Sequence, residues 1–267
     1  MEMTLRLSKM KTDLSGQLSY KLGQDDQFID FTQWVGKNIS LKFTGSIFCE
    51  NCGKKTKKSY SQGHCYPCTL KLASCDLCTL KPETCHYDKG TCREPEWALT
   101  HCFQPHIVYL ANSSGLKVGI TRESQIPTRW IDQGATQALA ILRVKDRVTS
   151  GKVETIFKKY VNDKTDWRKM LKGSSEELDL KEQAKELLEK AAGELAEFSF
   201  EVLDQEEVNI TYPVLNYPEK VKSVGLDKNP EISGVLQGIK GQYLIFENSV
   251  INIRAHSGYE VTITGEK

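Results

Sequence analysis

The sequence has no run approaching the roughly 18 apolar residues that a membrane-spanning helix needs. Its opening, MEMTLRLSKMKTD, carries neither the apolar stretch nor the small-residue cleavage site of a secretory signal. These absences argue against a membrane partner and set the expectation of a cytoplasmic protein. A net charge is also missing, since 36 Lys+Arg face 35 Asp+Glu, so the total by itself points to no charged partner. Cysteine is absent from both ends of the chain: all nine lie between Cys49 and Cys102. In a reducing compartment, nine thiols packed into about a fifth of the chain suit metal binding better than disulfides, which would be spread across a secreted domain.

What is present is the composition of an ordinary globular protein, 39% hydrophobic and 27% charged over 267 residues, a length that suggests one to three domains. Alternation predicts strands around Leu5 and Leu7, around Leu18, Tyr20 and Leu22, and around Ile39, Leu41 and Phe43. Tyr109 to Leu110 and Lys117 to Thr121 read as two strands joined through Asn112-Ser113-Ser114-Gly115, a turn of residues that tolerate left-handed backbone. A helix should follow near 127–131, a third strand over 138–144, and a helix over 153–161. The clearest helix is expected between Asp179 and Phe198, with Ala184, Leu187, Leu188, Ala191, Leu195 and Phe198 on one stripe and Asp179 with Glu182 as a capping box. Four short strands from Val235 to Ile263 suggest a small barrel or sandwich. The reading is therefore an α+β protein. It has an N-terminal β region (1–48), a cysteine-rich region (49–104), a small α/β core (105–172), an acidic amphipathic helix region (173–210) and a C-terminal β domain (211–267) that pairs with the N-terminal strands.

The near-neutral total hides an asymmetry. Residues 175–207 carry a net charge of −9, which leaves +10 on the rest, a distribution compatible with a nucleic-acid face. Lys54, Lys55, Lys57 and Lys58 stand beside the first cysteine pair; the plainer reading of such lysines is that they solubilise a small metal domain.

Cys49-x2-Cys52 followed, twelve residues on, by Cys65-x2-Cys68 is the spacing of two knuckles closing one tetrahedral four-sulfur site, which suits structural zinc and resembles a zinc ribbon. Four thiolates leave no open position for catalysis. A second zinc site is expected from Cys75, Cys78, Cys85 and Cys92, with His86, His101, Cys102 or His106 able to replace a ligand, and an iron-sulfur cluster fits the same ligand count. Cys102, left over, reads as a buried thiol, because no third group stands ready to orient it as a nucleophile beside His101 or His106.

The stretch from His106 to Trp130 resembles the opening of the GIY-YIG nuclease superfamily. Ile107-Val108-Tyr109 stands at the first triplet, Lys117-Val118-Gly119-Ile120-Thr121 at the second, and Arg129 where a helical arginine belongs. Glu154 on the next helix matches the metal-binding glutamate, and Asn162 is a loose match for a late asparagine. The sequence departs from the pattern in having Lys117 for a tyrosine and Ile107-Val108 for Gly-Ile. The resemblance covers about 105–162. The chain as a whole resembles an uncharacterised bacterial family that joins a cysteine-rich region to such a segment.

The resemblance implies a phosphodiester endonuclease in which Tyr109 or Lys117 serves as base, Arg129 clamps phosphate and Glu154 holds Mg2+. An unperturbed lysine is protonated at neutral pH and would hold phosphate instead. The leading expectation is a zinc-containing protein that binds RNA or DNA through Lys54, Lys55, Lys57, Lys58, Lys117, Arg122 and Arg129, with a GIY-YIG-like core for which metal-dependent cleavage stays an open use. Two alternatives stand beside it: a non-catalytic adaptor for nucleic acid, a ribonucleoprotein or a protein partner, and an RNA-modifying enzyme with an iron-sulfur or reactive-cysteine centre.

Overall fold

A computed structural model describes residues 2–24, 27–161, 164–173 and 176–265. Helices and sheets are mixed, as an α+β reading requires. The chain divides into two compact units, one comprising Met1–Leu70, Leu171–Gly173 and Thr211–Lys267, the other Lys71–Met170 and Ser174–Ile210. The first begins with strands β1 (Glu2–Arg6), β2 (Lys11–Asp13), β3 (Ser19–Gln24), β4 (Gln27–Asp30), β5 (Asn38–Phe48) and β6 (Lys55–Thr56), and α1 (Tyr66–Lys71) follows. Next come α2 (Pro95–His101), β7 (His106–Asn112), β8 (Leu116–Arg122), α3 (Thr128–Asp132), β9 (Gln137–Val144), α4 (Arg147–Phe157), α5 (Trp167–Leu171), α6 (Leu180–Leu195), β10 (Phe200–Val202) and β11 (Val208–Asn209). The chain ends with β12 (Glu231–Lys240), β13 (Tyr243–Phe246), β14 (Val250–Asn252) and β15 (Tyr259–Gly265).

In the first unit the two termini share one sheet, in the order β1-β15-β5-β12-β13-β14 with β6 on β5, and β2-β3-β4 form a smaller sheet. Register follows the buried face. Leu41 of β5 stands opposite Ile263 of β15 and Ile232 of β12, and Val261 stands between Phe43 of β5 and Leu5 of β1. Leu41, Ile263, Ile232 and Val261 are all buried, so a one-residue slip would turn this set to solvent. The C-terminal strands do not close into a barrel. β12 is long, pairs with β5 through its first half and with β13 through its second, and is broken by a bulge between Leu236 and Gly238, so successive strands are staggered into an open path.

The second unit is organised on an antiparallel sheet, β10-β9-β7-β8, with β11 also on β9. The β7–β8 hairpin runs in continuous register from His106 opposite Arg122 to Asn112 opposite Leu116. One sheet face (Val108, Leu110, Val118, Leu139, Ile141) packs on Val153, Ile156 and Phe157 of α4 and on the stripe Leu180, Ala184, Leu187, Ala191, Leu195 of α6. Helix α6 starts where its cap predicts, since the Asp179 carboxylate accepts from the Glu182 N–H at 2.9 Å. Helix α4 differs from expectation. It begins at Arg147 instead of near 153 and ends at Phe157, because Asp146 caps the Thr149 N–H at 2.7 Å and Thr149, Ser150 and Gly151 are buried, so packing overrides their weak helix propensity. Asn162 lies outside the described residues.

Candidate functional site

Strand β5 delivers Cys49 at its end, and the chain turns at once. The Gly53 N–H bonds the Cys49 carbonyl at 2.8 Å and the Cys49 N–H bonds the Lys54 carbonyl at 3.0 Å, which forms the first knuckle. The second knuckle follows a short Tyr60–His64 hairpin and leads Cys68 into α1. The sulfurs of Cys49, Cys52, Cys65 and Cys68 lie within 4.8 Å of one another, and those of Cys52 and Cys65 are 3.8 Å apart. A tetrahedron with zinc-sulfur bonds of about 2.3 Å has edges of about 3.8 Å, so the four sulfurs can hold a zinc ion.

The donors around the sulfurs favour thiolate. Burial would raise the Cys49 thiol, yet backbone N–H groups of Cys65, Cys52 and Asn51 outweigh it and bring it down to about 6. The Asn51 amide donates to the Cys68 sulfur at 3.4 Å and favours its ionised form, but the neighbouring sulfurs crowd it and push that thiol up to about 12. A divalent cation held by the four sulfurs would relieve that crowding and release the protons. Asn51 was not singled out from sequence; its place inside the first Cys-x2-Cys was the available signal.

Between the knuckles the chain returns along β5 through β6, pairing Phe48 with Lys55 and Ile47 with Thr56. Lys54, Lys55, Lys57 and Lys58 are all exposed on this arm. The Lys58 ammonium lies 5.4 Å from the Tyr60 ring, and that ring lies 5.6 Å from the ring of Tyr66, which is 57% exposed. Tyr60 and Tyr66 were missed at the level of sequence, where only their position beside the second knuckle could have marked them.

In the second unit, Tyr109 stands on the sheet face opposite the one that packs on α4, so Arg129 acts on its phenol while Glu154, on α4, reaches it only as a charge. The Tyr109 phenol donates to Gln133 Oε1 at 2.9 Å, its ring meets Trp130 edge-on at 6.0 Å, and the Arg129 charge acts on its oxygen. Tyr109 faces Gly119 across the ladder, and a Cβ at Gly119 would sit 2.6 Å from the phenol carbon and oxygen, so only glycine admits the ring there. Tyr109 is fully buried. Burial raises its pKa, Arg129 opposes the rise, and the charge of Glu154 adds to it. The phenol is thus a neutral hydrogen-bond donor at physiological pH. The Glu154 side chain is 13% exposed and pairs with Lys158 at 3.0 Å. Lys117 is buried on the same face of β8 as Gly119, opposite Ala111. Arg122 and Arg129 are half-buried.

The later cysteines sit on short 3-10 turns. Cys75 ends the turn Ala73–Cys75, Cys78 lies in Leu77–Thr79, and Cys85 follows Pro82–Thr84. Asp76, Cys78 and His86 offer ligand atoms within 4.8 Å of one another. Both nitrogens of His86 are engaged, however, with Asp76 at 3.4 Å and Thr91 at 2.8 Å, and Asp76 also pairs with Arg93 at 2.7 Å. His101 stacks on Trp97 at 4.1 Å and meets its carbonyl at 3.1 Å, while His106 is buried with Nδ1 2.7 Å from the Gln104 carbonyl oxygen. No described helix is long and apolar enough to cross a membrane.

The chain belongs to the DUF2797 family, described as a protein of unknown function, whose model matches residues 36–261. No curated protein and no solved structure matches it.

Proposed function

We propose that the protein is a zinc-containing nucleic-acid-binding adaptor, with the zinc-ribbon-like knuckles presenting the lysine arm to RNA or DNA. The observation that carries this reading is the exposure of Lys54, Lys55, Lys57 and Lys58 on one arm beside the exposed Tyr66. Lysines there would replace phosphate counterions, and the ring offers a surface on which an unpaired base can stack. Arg122 and Arg129 would add phosphate contacts, and the open β sheet of the first unit would meet a protein or ribonucleoprotein. Nine free thiols fit a reducing compartment such as the cytoplasm.

The test is binding to RNA and DNA across a salt series, for wild type and for a variant with all four arm lysines changed to alanine. The variant should bind more weakly and with a shallower salt slope, by about 0.9 per lost contact on duplex DNA. Equal affinity and slope would return the arm to a solubility role.

A second reading, a GIY-YIG-like endonuclease, is favoured by the Arg129 charge acting on the Tyr109 phenol. In it Glu154 would bind Mg2+, Arg129 would clamp phosphate, and Tyr109 or Lys117 would act as base. The adaptor is preferred because Tyr109 and Lys117 are both buried and a base must reach water. On a panel of single-stranded, duplex, branched and structured substrates, a nuclease should lose Mg2+-dependent cleavage in Glu154→Gln while still binding, and lose both in Arg129→Ala. An adaptor cuts nothing, and Arg129→Ala costs it affinity alone. Cleavage that survives Glu154→Gln would refute this site.

A further inference from the structure

Asp76 directly precedes the 3-10 turn Leu77–Thr79, a position where a carboxylate ordinarily caps free N–H groups, yet its side chain makes no cap bond. The carboxylate is engaged elsewhere. Arg93 Nε donates to its Oδ2 at 2.7 Å, and His86 Nε2 lies 3.4 Å from the same oxygen. The Thr79 N–H and hydroxyl both bond the Asp76 carbonyl, at 3.0 and 2.7 Å, which fixes the turn that carries Asp76 and Cys78. Asp76, Cys78 and His86 each bring a ligand atom within 4.8 Å of the other two.

His86 is oriented as a metal-bound imidazole is. Gly90 takes a left-handed conformation (φ 69°), which turns the chain so that Thr91 reaches back to His86. The Thr91 hydroxyl lies 3.2 Å from the His86 carbonyl and 2.8 Å from its Nδ1. With one proton to give, it satisfies both contacts only by donating to the carbonyl and accepting from Nδ1–H. That leaves Nε2 as the nitrogen with the lone pair. A lone pair beside a carboxylate oxygen is repelled unless a cation lies between them. A protonated His86 would pair with Asp76 directly, but Arg93 already pairs with that oxygen, and 3.4 Å is longer than the roughly 2.7 to 3.2 Å of an N–H···O bond. The same distance is the edge of a tetrahedron: zinc bonds of about 2.0 to 2.1 Å to nitrogen and oxygen set those two ligands about 3.4 Å apart.

We infer that Asp76, Cys78 and His86 hold a second zinc ion, in a site of three protein ligands whose fourth position is open to solvent. Thiolate and imidazole favour zinc over magnesium or calcium, and the thiolate and carboxylate together neutralise the ion. Thr91 and Arg93 fix the imidazole and the carboxylate from behind, and Arg93 is itself tied to the Leu72 carbonyl at 3.2 Å. The His86 and Asp76 side chains are 27% and 13% exposed, so water can reach the ion. This centre differs from one built on Cys75, Cys78, Cys85 and Cys92 in having a single sulfur. It does not depend on nucleic-acid binding.

The test is zinc analysis with zinc-edge X-ray absorption on full-length protein, incubated with zinc under reducing conditions and freed of excess metal. Wild type should retain about two zinc with a mean shell of about 2.5 sulfurs per zinc, four in the first site and one in the second. His86→Gln and Asp76→Asn should each retain about one zinc, and the mean should rise to about four sulfurs. Cys75→Ser removes a sulfur that this centre does not use and should keep both ions. About one zinc in wild type, about two in His86→Gln or Asp76→Asn, or a shell near four sulfurs with two zinc bound overturns the inference. Because losing a ligand can also unfold the unit, the sulfur count of wild type decides the matter without any variant.

Discussion

The two units treat their charged groups in opposite ways. In the first, Lys54, Lys55, Lys57 and Lys58 stand in water around a compact four-sulfur site. In the second, Tyr109 and Lys117 are buried and Glu154 is nearly so, paired with Lys158. An exposed ammonium keeps its hydration, adds little to stability and stays available to a partner. A buried polar group must be satisfied by its neighbours, so its removal is felt first by the fold. Substitutions in the arm should therefore change binding and leave stability alone, whereas substitutions around Tyr109 should do the reverse.

The largest effect should come from the metal. Cys49→Ser removes one of four thiolates, and because structural zinc contributes apparent free energy on the order of 10 kcal/mol or more to such a module, the variant should lose its zinc and the knuckles should unfold. Zinc analysis with circular dichroism melting checks this, and a variant that retains zinc and an unchanged melt would show that the four sulfurs are not one site.

The next prediction presses on the contrast from within the first unit, which also buries a cation. Lys240 is 1% exposed, with its ammonium 5.2 Å from the Tyr212 ring and 5.3 Å from the Tyr217 ring. Burial lowers its pKa from 10.5 to about 8. Between those values the unfolded chain holds a proton that the folded chain lacks, so stability rises with pH across this window, and the penalty is complete below about 8. Lys240→Met should accordingly stabilise by about 1 to 3 kcal/mol at neutral pH, after allowing for lost cation-π attraction, and by progressively less toward pH 10. Denaturant melts at pH 7 and 9.5 give the comparison; a gain that does not shrink with pH would mean that Lys240 is not folded in its neutral form.

In the second unit, Gly119→Ala places a methyl group against the Tyr109 phenol and should cost about 1 to 3 kcal/mol in urea unfolding. A neutral result would mean that the ring can move aside, and with it the burial that argues against Tyr109 as a base. The smallest stability effect belongs to the four-lysine alanine variant, which should unfold within about 0.5 kcal/mol of wild type. A larger loss would blur the distinction between arm and core.

Local patterns were readable where a short segment contains its own reason. The Asp179 cap and the apolar stripe of α6 needed only helical periodicity and one carboxylate. Cys49, Cys52, Cys65 and Cys68 were readable because a two-residue gap bends each knuckle around one ion. Helix α4 was misjudged at its start because Thr149, Ser150 and Gly151 are weak helix formers held by packing. The barrel expectation failed because strand spacing does not reveal a bulge such as that between Leu236 and Gly238.

From residue order alone came the mixed α+β class, the strand-turn-strand-helix order between 106 and 132, and a four-cysteine site suited to zinc. Each depends on neighbours in sequence, whose geometry is set by covalent spacing and backbone preference. Tertiary structure alone decided that Leu41 lies between Ile263 and Ile232, that Tyr109 is sealed over Gly119, that the lysine arm faces solvent, and that Arg147 links Cys102 to the turn of Cys78. These are encounters between distant segments, and they are determined by which surfaces bury one another, a property that no single stretch of the chain carries.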